Sequence, residues 1–179
     1  MILDQSVESF IEEYIDYIDK EEWDYVYQQA EIHMSYPYEL TSKLLEAGIN
    51  PLENLTIVPF SYAPLELESA ILNPKCTTIQ QDAFNSCEKL THIILPEGLV
   101  NIDTRAFSGS GLVEINFPST LEILGPAAFS NCKNLKKISY NGTIDQMNQV
   151  RVWEEVFEGV PAYYIECTDG NIELRDIDE

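Results

Sequence analysis

Apolar residues recur in the middle of this chain with a long period. Three phrases carry it: Ile79-Gln80-Gln81-Asp82-Ala83-Phe84, Ile102-Asp103-Thr104-Arg105-Ala106-Phe107 and Leu124-Gly125-Pro126-Ala127-Ala128-Phe129. The Ala-Phe pairs fall 23 and then 22 residues apart. A fixed period of that size marks one supersecondary unit stacked on itself. A second phrase follows each pair, with apolar residues at Leu90, Ile93 and Leu95, then at Leu112, Ile115 and Phe117, then at Leu135, Ile138 and Tyr140. The last two of each set are two apart, which predicts a short strand with one buried face. Pro96 and Pro118 close the first two strands, because proline cannot donate to a ladder.

The pattern extends backward. Ile57 falls at the place of Ile79, Tyr62 at Phe84, Ile71 at Ile93, Pro74 at Pro96 and Cys76 at Leu99. A degenerate first unit therefore starts near Ile57, and about four units precede the tail. One unit alone buries too little apolar surface to offset the ordering of its own backbone, at about 1–2 kcal/mol per residue. Stacked units share a continuous aliphatic and phenyl ladder, so each is stable beside its neighbour.

Residues 1–50 follow a different period. Val7, Phe10, Ile11, Tyr14, Ile15 and Ile18 lie on one helical face, with Ser6 as the N-cap. Trp23, Val26 and Tyr27 suggest a second helix. Pro37, Leu40, Leu44, Leu45 and Gly48 suggest a third, with Pro near its start and Gly past its end. These helices read as a cap on the first repeat or, alternatively, as a docking module. After the repeats, Val150, Trp153, Val156 and Phe157 are spaced for a helix over 146–157, and Tyr163–Cys167 is β-prone. The expected organisation is a helical cap over 1–50, repeats over 51–140 and an α/β cap over 141–179. No Gly/Ser-rich linker separates them.

These phrases resemble the BspA-type leucine-rich repeat family, whose units read roughly I-G-x-x-A-F-x-x-C-x-x-L-x-x-I-x-L-P. The match runs over about residues 57–140, and the tail, with Trp153, Gly159-Val160-Pro161 and Cys167-Thr168-Asp169-Gly170, resembles the usual ending of such arrays. The family's Gly appears only at Gly125, and its Cys position holds Cys87, Ser110 and Cys132. The resemblance implies an α+β repeat fold: a short solenoid of stacked parallel strands between two caps. It implies a protein-binding rather than a catalytic role, and is compatible with a bacterial or phage source.

Charge narrows the partners. The net charge is −21, and it is uneven. Residues 1–50 carry 12 acidic and 2 basic side chains, 76–140 carry 6 and 5, and 141–179 carry 10 and 2. Acidic flanks repel the phosphates of nucleic acid and anionic membranes. They either keep an open-ended stack soluble or present a negative surface to a basic protein. No apolar run reaches transmembrane length, and the N-terminus lacks the basic and apolar regions of a signal peptide. The expected location is cytoplasmic, or secreted if a leader was removed. Cys76, Cys87 and Cys132 occupy core positions, and nothing has the spacing of a zinc site. Asn54-Leu55-Thr56 and Asn141-Gly142-Thr143 have the glycosylation acceptor form, which matters only outside the cell.

No catalytic constellation is evident. His33 and His92 lack a motif-spaced nucleophile, and Asp169-Gly170-Asn171 reads as a hairpin turn rather than a calcium loop. No cofactor or metal is expected. The candidate binding surface is the outward face of the strands, as two columns: Ala70, His92, Glu114 and Lys137, and Leu72, Ile94, Asn116 and Ser139. The expected function is a non-catalytic protein–protein interaction module with a partner of unknown identity. The alternatives are a small acidic inhibitor or nucleic-acid mimic of phage or mobile-element origin, and a fragment of a cell-surface adhesin.

Overall fold

The computed structural model describes residues 6–18, 20, 22–33, 38–59, 62, 63 and 65–174. Three helices come first: α1 (Val7–Ile18), α2 (Trp23–His33) and α3 (Tyr38–Glu46). Val7, Phe10, Tyr14 and Ile18 of α1 are buried, as their spacing predicts, while Ile15 is exposed. The Ser6 hydroxyl accepts the Ser9 amide at 3.3 Å, the predicted N-cap. Gly48 sits at φ 79°, and Ile49 N–H reaches the Leu44 carbonyl while Gly48 N–H reaches that of Leu45, both at 2.9 Å. That pair of bonds closes α3 in the manner that favours glycine. Pro37 and the His33 side chain lie outside the described residues.

The repeats then wind as a solenoid. One sheet contains β1 (Ile57–Val58), β3 (Thr78–Ile79), β5 (Asn101–Ile102), β7 (Ile123–Leu124) and β9 (Arg151–Val152), all parallel and in chain order. The opposite wall contains β2 (Ser69–Ile71) paired with β4 (His92–Ile94), then β6 (Glu114–Phe117), β8 (Lys137–Tyr140) and β10 (Tyr164–Cys167). β11 (Gly170–Glu173) folds back antiparallel on β10 through the predicted hairpin. Ladder pairing lapses between β4 and β6.

A column of rings runs through the core. Successive centroids lie 5.3 Å apart from Tyr27 to Tyr62, 6.1 Å to Phe84, 5.0 Å to Phe107, 5.1 Å to Phe129 and 5.9 Å to Phe157. The middle four were legible as a period. Tyr27 joins from α2, so the helices seal the first turn with a ring of their own. Asp24, one helical turn earlier, accepts the Thr56 amide at 3.0 Å, the Thr56 hydroxyl at 2.6 Å and the Ile57 amide at 3.4 Å. Its carboxylate occupies donors at the free edge of β1, an edge that would otherwise invite another strand.

Two expectations need correction. The first turn is one residue out of the expected register. Val58, not Ile57, pairs with Ile79, and Ala70, not Ile71, pairs with Ile93. A slip of one residue turns every side chain of a strand to the other face, so Ile57 and Ile71 are exposed and Val58 and Ala70 are buried. Tyr62 still supplies the ring. The expected helix over 146–157 is instead a short α4 (Ile144–Met147) followed by β9 and a turn. That stretch is a fifth turn of the solenoid, with Val156-Phe157 at the Ala-Phe position.

Each turn is bonded to the next by a recurring set of backbone hydrogen bonds. Asp103 N–H donates to Ile79 O, and Thr104, Ala106 and Ser108 carbonyls accept from Asp82, Phe84 and Ser86. Gly125 N–H donates to Ile102 O, and Pro126, Ala128 and Ser130 carbonyls accept from Arg105, Phe107 and Gly109. Trp153 N–H donates to Leu124 O, and Glu154, Val156 and Glu158 carbonyls accept from Ala127, Phe129 and Asn131. The residue before each Ala-Phe or Val-Phe pair is left-handed: Asp82, Arg105, Ala127 and Glu155 have φ between 51° and 59°.

Candidate binding face on the strand wall

Strand alternation sends every second side chain of the β2–β10 wall outward. In β4 the order is exposed His92, buried Ile93, exposed Ile94, and in β6 it is exposed Glu114, buried Ile115, exposed Asn116, buried Phe117. Register then stacks the outward residues. Glu114 pairs with Lys137 and Asn116 with Ser139, while Ser69 pairs with His92 and Ile71 with Ile94.

Six of the eight predicted residues come together. His92, Ile94, Glu114, Asn116, Lys137 and Ser139 line one open hollow of about 430 Å³ where the ladder lapses between β4 and β6. The other two do not join them. Ala70 is 7% and Leu72 3% exposed, and both turn into the core for the register reason given above. The outward residues of β2 are Ser69 and Ile71. Ile71 and Ile94 are cross-strand partners and are 64% and 60% exposed. Ile71 also borders a neighbouring hollow of about 570 Å³ between β2 and the end of α3, with Ile49, Leu52 and Leu67.

The polar groups are partly tied to one another. Ser139 Oγ donates to Asn116 Oδ1 at 2.9 Å, and the Thr91 hydroxyl meets His92 Nδ1 at 2.8 Å. Lys137 Nζ lies 3.3 Å from Glu166 of β10. Glu166 and Tyr164 extend the two columns by one strand, because Ile165 pairs with Ile138 and Glu166 with Ser139. Sequence reasoning missed Ser69, Ile71, Tyr164 and Glu166. The alternation around Ile165 was the available signal for the last two. The face offers aliphatic contact and hydrogen bonding. No group of three or more His, Cys, Asp or Glu residues is placed to hold a metal ion among the described residues.

The geometry agrees with sequence comparison. Residues 55–164 match the BspA type leucine-rich repeat region, in six copies. The chain belongs to the BspA-type leucine-rich repeat family. The BspA-type match runs past Tyr140 through the fifth turn to Tyr164, into the region expected to be an α/β cap. One solved structure similar to this BspA-type chain is described as "The Crystal structure of Pneumococcal vaccine antigen PcpA". It is 22% identical with a TM-score of 0.44, and the alignment covers 57% of this chain and 31% of that one. No curated protein matches. Among the described residues, no helix is long and apolar enough to cross a membrane.

Proposed function

We propose that this protein is a non-catalytic interaction module whose strand wall binds a partner protein. The observation that carries the reading is the hollow lined by His92, Ile94, Glu114, Asn116, Lys137 and Ser139, with Ile71 and Ile94 standing exposed beside it. Two adjacent exposed aliphatic side chains among hydrogen-bonding groups make a surface suited to a partner's apolar side chain held by flanking polar contacts. The solenoid supports this use, since stacked repeats present one extended face built from many turns.

The test is a co-purification from native-host lysate with the parent and with a variant in which His92, Ile94, Glu114 and Asn116 are changed together to alanine. The four are exposed, so the variant should unfold within a few degrees of the parent. Loss of one specific captured protein supports the strand wall. Retention of every captured protein by a folded variant sinks it.

A further inference from the structure

The two ends of the solenoid differ. At the N-terminal end, Asp24 and Tyr27 close the first turn. At the C-terminal end the fifth turn has no successor among the described residues. The bonding code of the earlier turns shows what is left open there. A following turn would donate one N–H to the Val152 carbonyl, as Gln80, Asp103, Gly125 and Trp153 do to Val58, Ile79, Ile102 and Leu124. It would also offer carbonyls to the N–H groups of Glu155, Phe157 and Gly159, the counterparts of Ala127, Phe129 and Asn131. These three amides have no hydrogen-bond partner among the described residues. Glu155 and Gly159 are left-handed, at φ 59° and 70°, matching Ala127 and Asn131, so the turn keeps its donor geometry.

The side chains here say what kind of chain fits. Trp153, Glu154, Glu155, Glu158 and Gly159 are exposed, whereas Gly125 and Ser130 of the preceding turn are buried. Phe157 is only 5% exposed, so the ring column is closed, and what remains open is backbone. Three glutamates on one open turn repel a second copy of the same end and attract a basic segment. Trp153 adds an indole face for a cation.

The geometry points to a second binding site on this end: an extended, Lys/Arg-containing segment of a partner protein docks on the fifth turn as a sixth. It gives one N–H to Val152 O and takes the amides of Glu155, Phe157 and Gly159 with carbonyls two residues apart. Its basic side chains lie against Glu154, Glu155 and Glu158. This is strand addition at a sheet edge, in which main-chain bonds hold the segment and charge selects it. It is independent of the strand-wall reading.

The test selects nonapeptides from a random library on the intact protein, then maps the most enriched peptide by amide shifts. Expected are sequences rich in Lys or Arg, shifts centred on Glu155, Phe157 and Gly159, and affinity falling at least tenfold both in 0.5 M salt and in Glu154→Lys/Glu155→Lys/Glu158→Lys. Ile94→Glu should bind as the parent does. Each of three results would overturn the site: no basic enrichment, shifts confined to the strand wall and lost in Ile94→Glu, or unchanged binding by the folded triple variant. Self-association of the parent with the same three amides protected would assign the end to a second copy and overturn it as well.

Discussion

The rings of Phe84 and Phe107 lie 5.0 Å apart and within 3° of parallel, each supplied by the same position of successive turns. Phe107 also stacks on Phe129 at 5.1 Å, so it joins three turns at once. It is fully buried. Phe107→Ala should therefore cost about 3–5 kcal/mol, the usual range for truncating a buried aromatic. Denaturant unfolding followed by circular dichroism measures it, and a variant as stable as the parent would refute the ring column.

The middle turns were legible because three copies repeat the same apolar places in step. The first turn was not, because apolar residues neighbour each other there: Ile57 beside Val58, and Ala70 beside Ile71. Composition favours the isoleucines, whereas the ladder register sets Val58 opposite Ile79 and Ala70 opposite Ile93 and turns the smaller pair inward. The fifth turn was hidden by length. Phe129 and Phe157 are 28 residues apart because α4 is inserted between them. Val150, Trp153, Val156 and Phe157 then fit a helical spacing as well as they fit a turn. The candidate residues point outward wherever the expected register is right, and Ala70 and Leu72, where it is not, point inward.

Asp82 and Arg105 join adjacent turns through two parallel bonds, Nε to Oδ1 and Nη2 to Oδ2, both 2.8 Å. Burial alone would raise the Asp82 carboxyl, yet donation from Arg105, Gln81 and Asn85 holds it below its ordinary 3.8. The folded value is depressed, so the pair's contribution is full well above pH 3.8 and is lost as pH falls through the lower folded value. Arg105 is half exposed, which limits the contribution to about 0.5–1 kcal/mol. Asp82→Asn tolerates the left-handed backbone. It should be less stable than the parent at pH 7 and should converge on it below pH 4, as thermal melts across pH would show.

Burial pushes the Cys87 thiol up to about 12 and that of Cys76 to about 11. Cys132 is raised by burial too, while Cys167 is partly exposed. At pH 8 a disulfide reagent should modify Cys167 first and the other three only on the timescale of unfolding. In denaturant all four should react together. The raised values also mean that stability declines as pH rises above about 9, where thiols of the unfolded chain ionise first. Fast reaction of more than one thiol in the folded protein would contradict this packing.

Asp24→Ala removes the acceptor for the Thr56 and Ile57 amides. The bonds lie near solvent, so the loss should be about 1 kcal/mol. Hydrogen exchange should quicken at Thr56 and Ile57 while the amides of Asp103 and Gly125 keep their protection. Uniform acceleration across the array would mean that Asp24 stabilises the whole fold rather than one edge.

The same carboxylate gives the molecule a polarity. With the amides of Thr56 and Ile57 already taken, the β1 edge has fewer donors for an incoming strand, so the two ends of that sheet are not equivalent. A second copy approaching in line with that sheet meets a carboxylate at β1 where a bare strand edge would offer amides. That single carboxylate thus gives the sheet a direction that its repeating turns, taken alone, do not have.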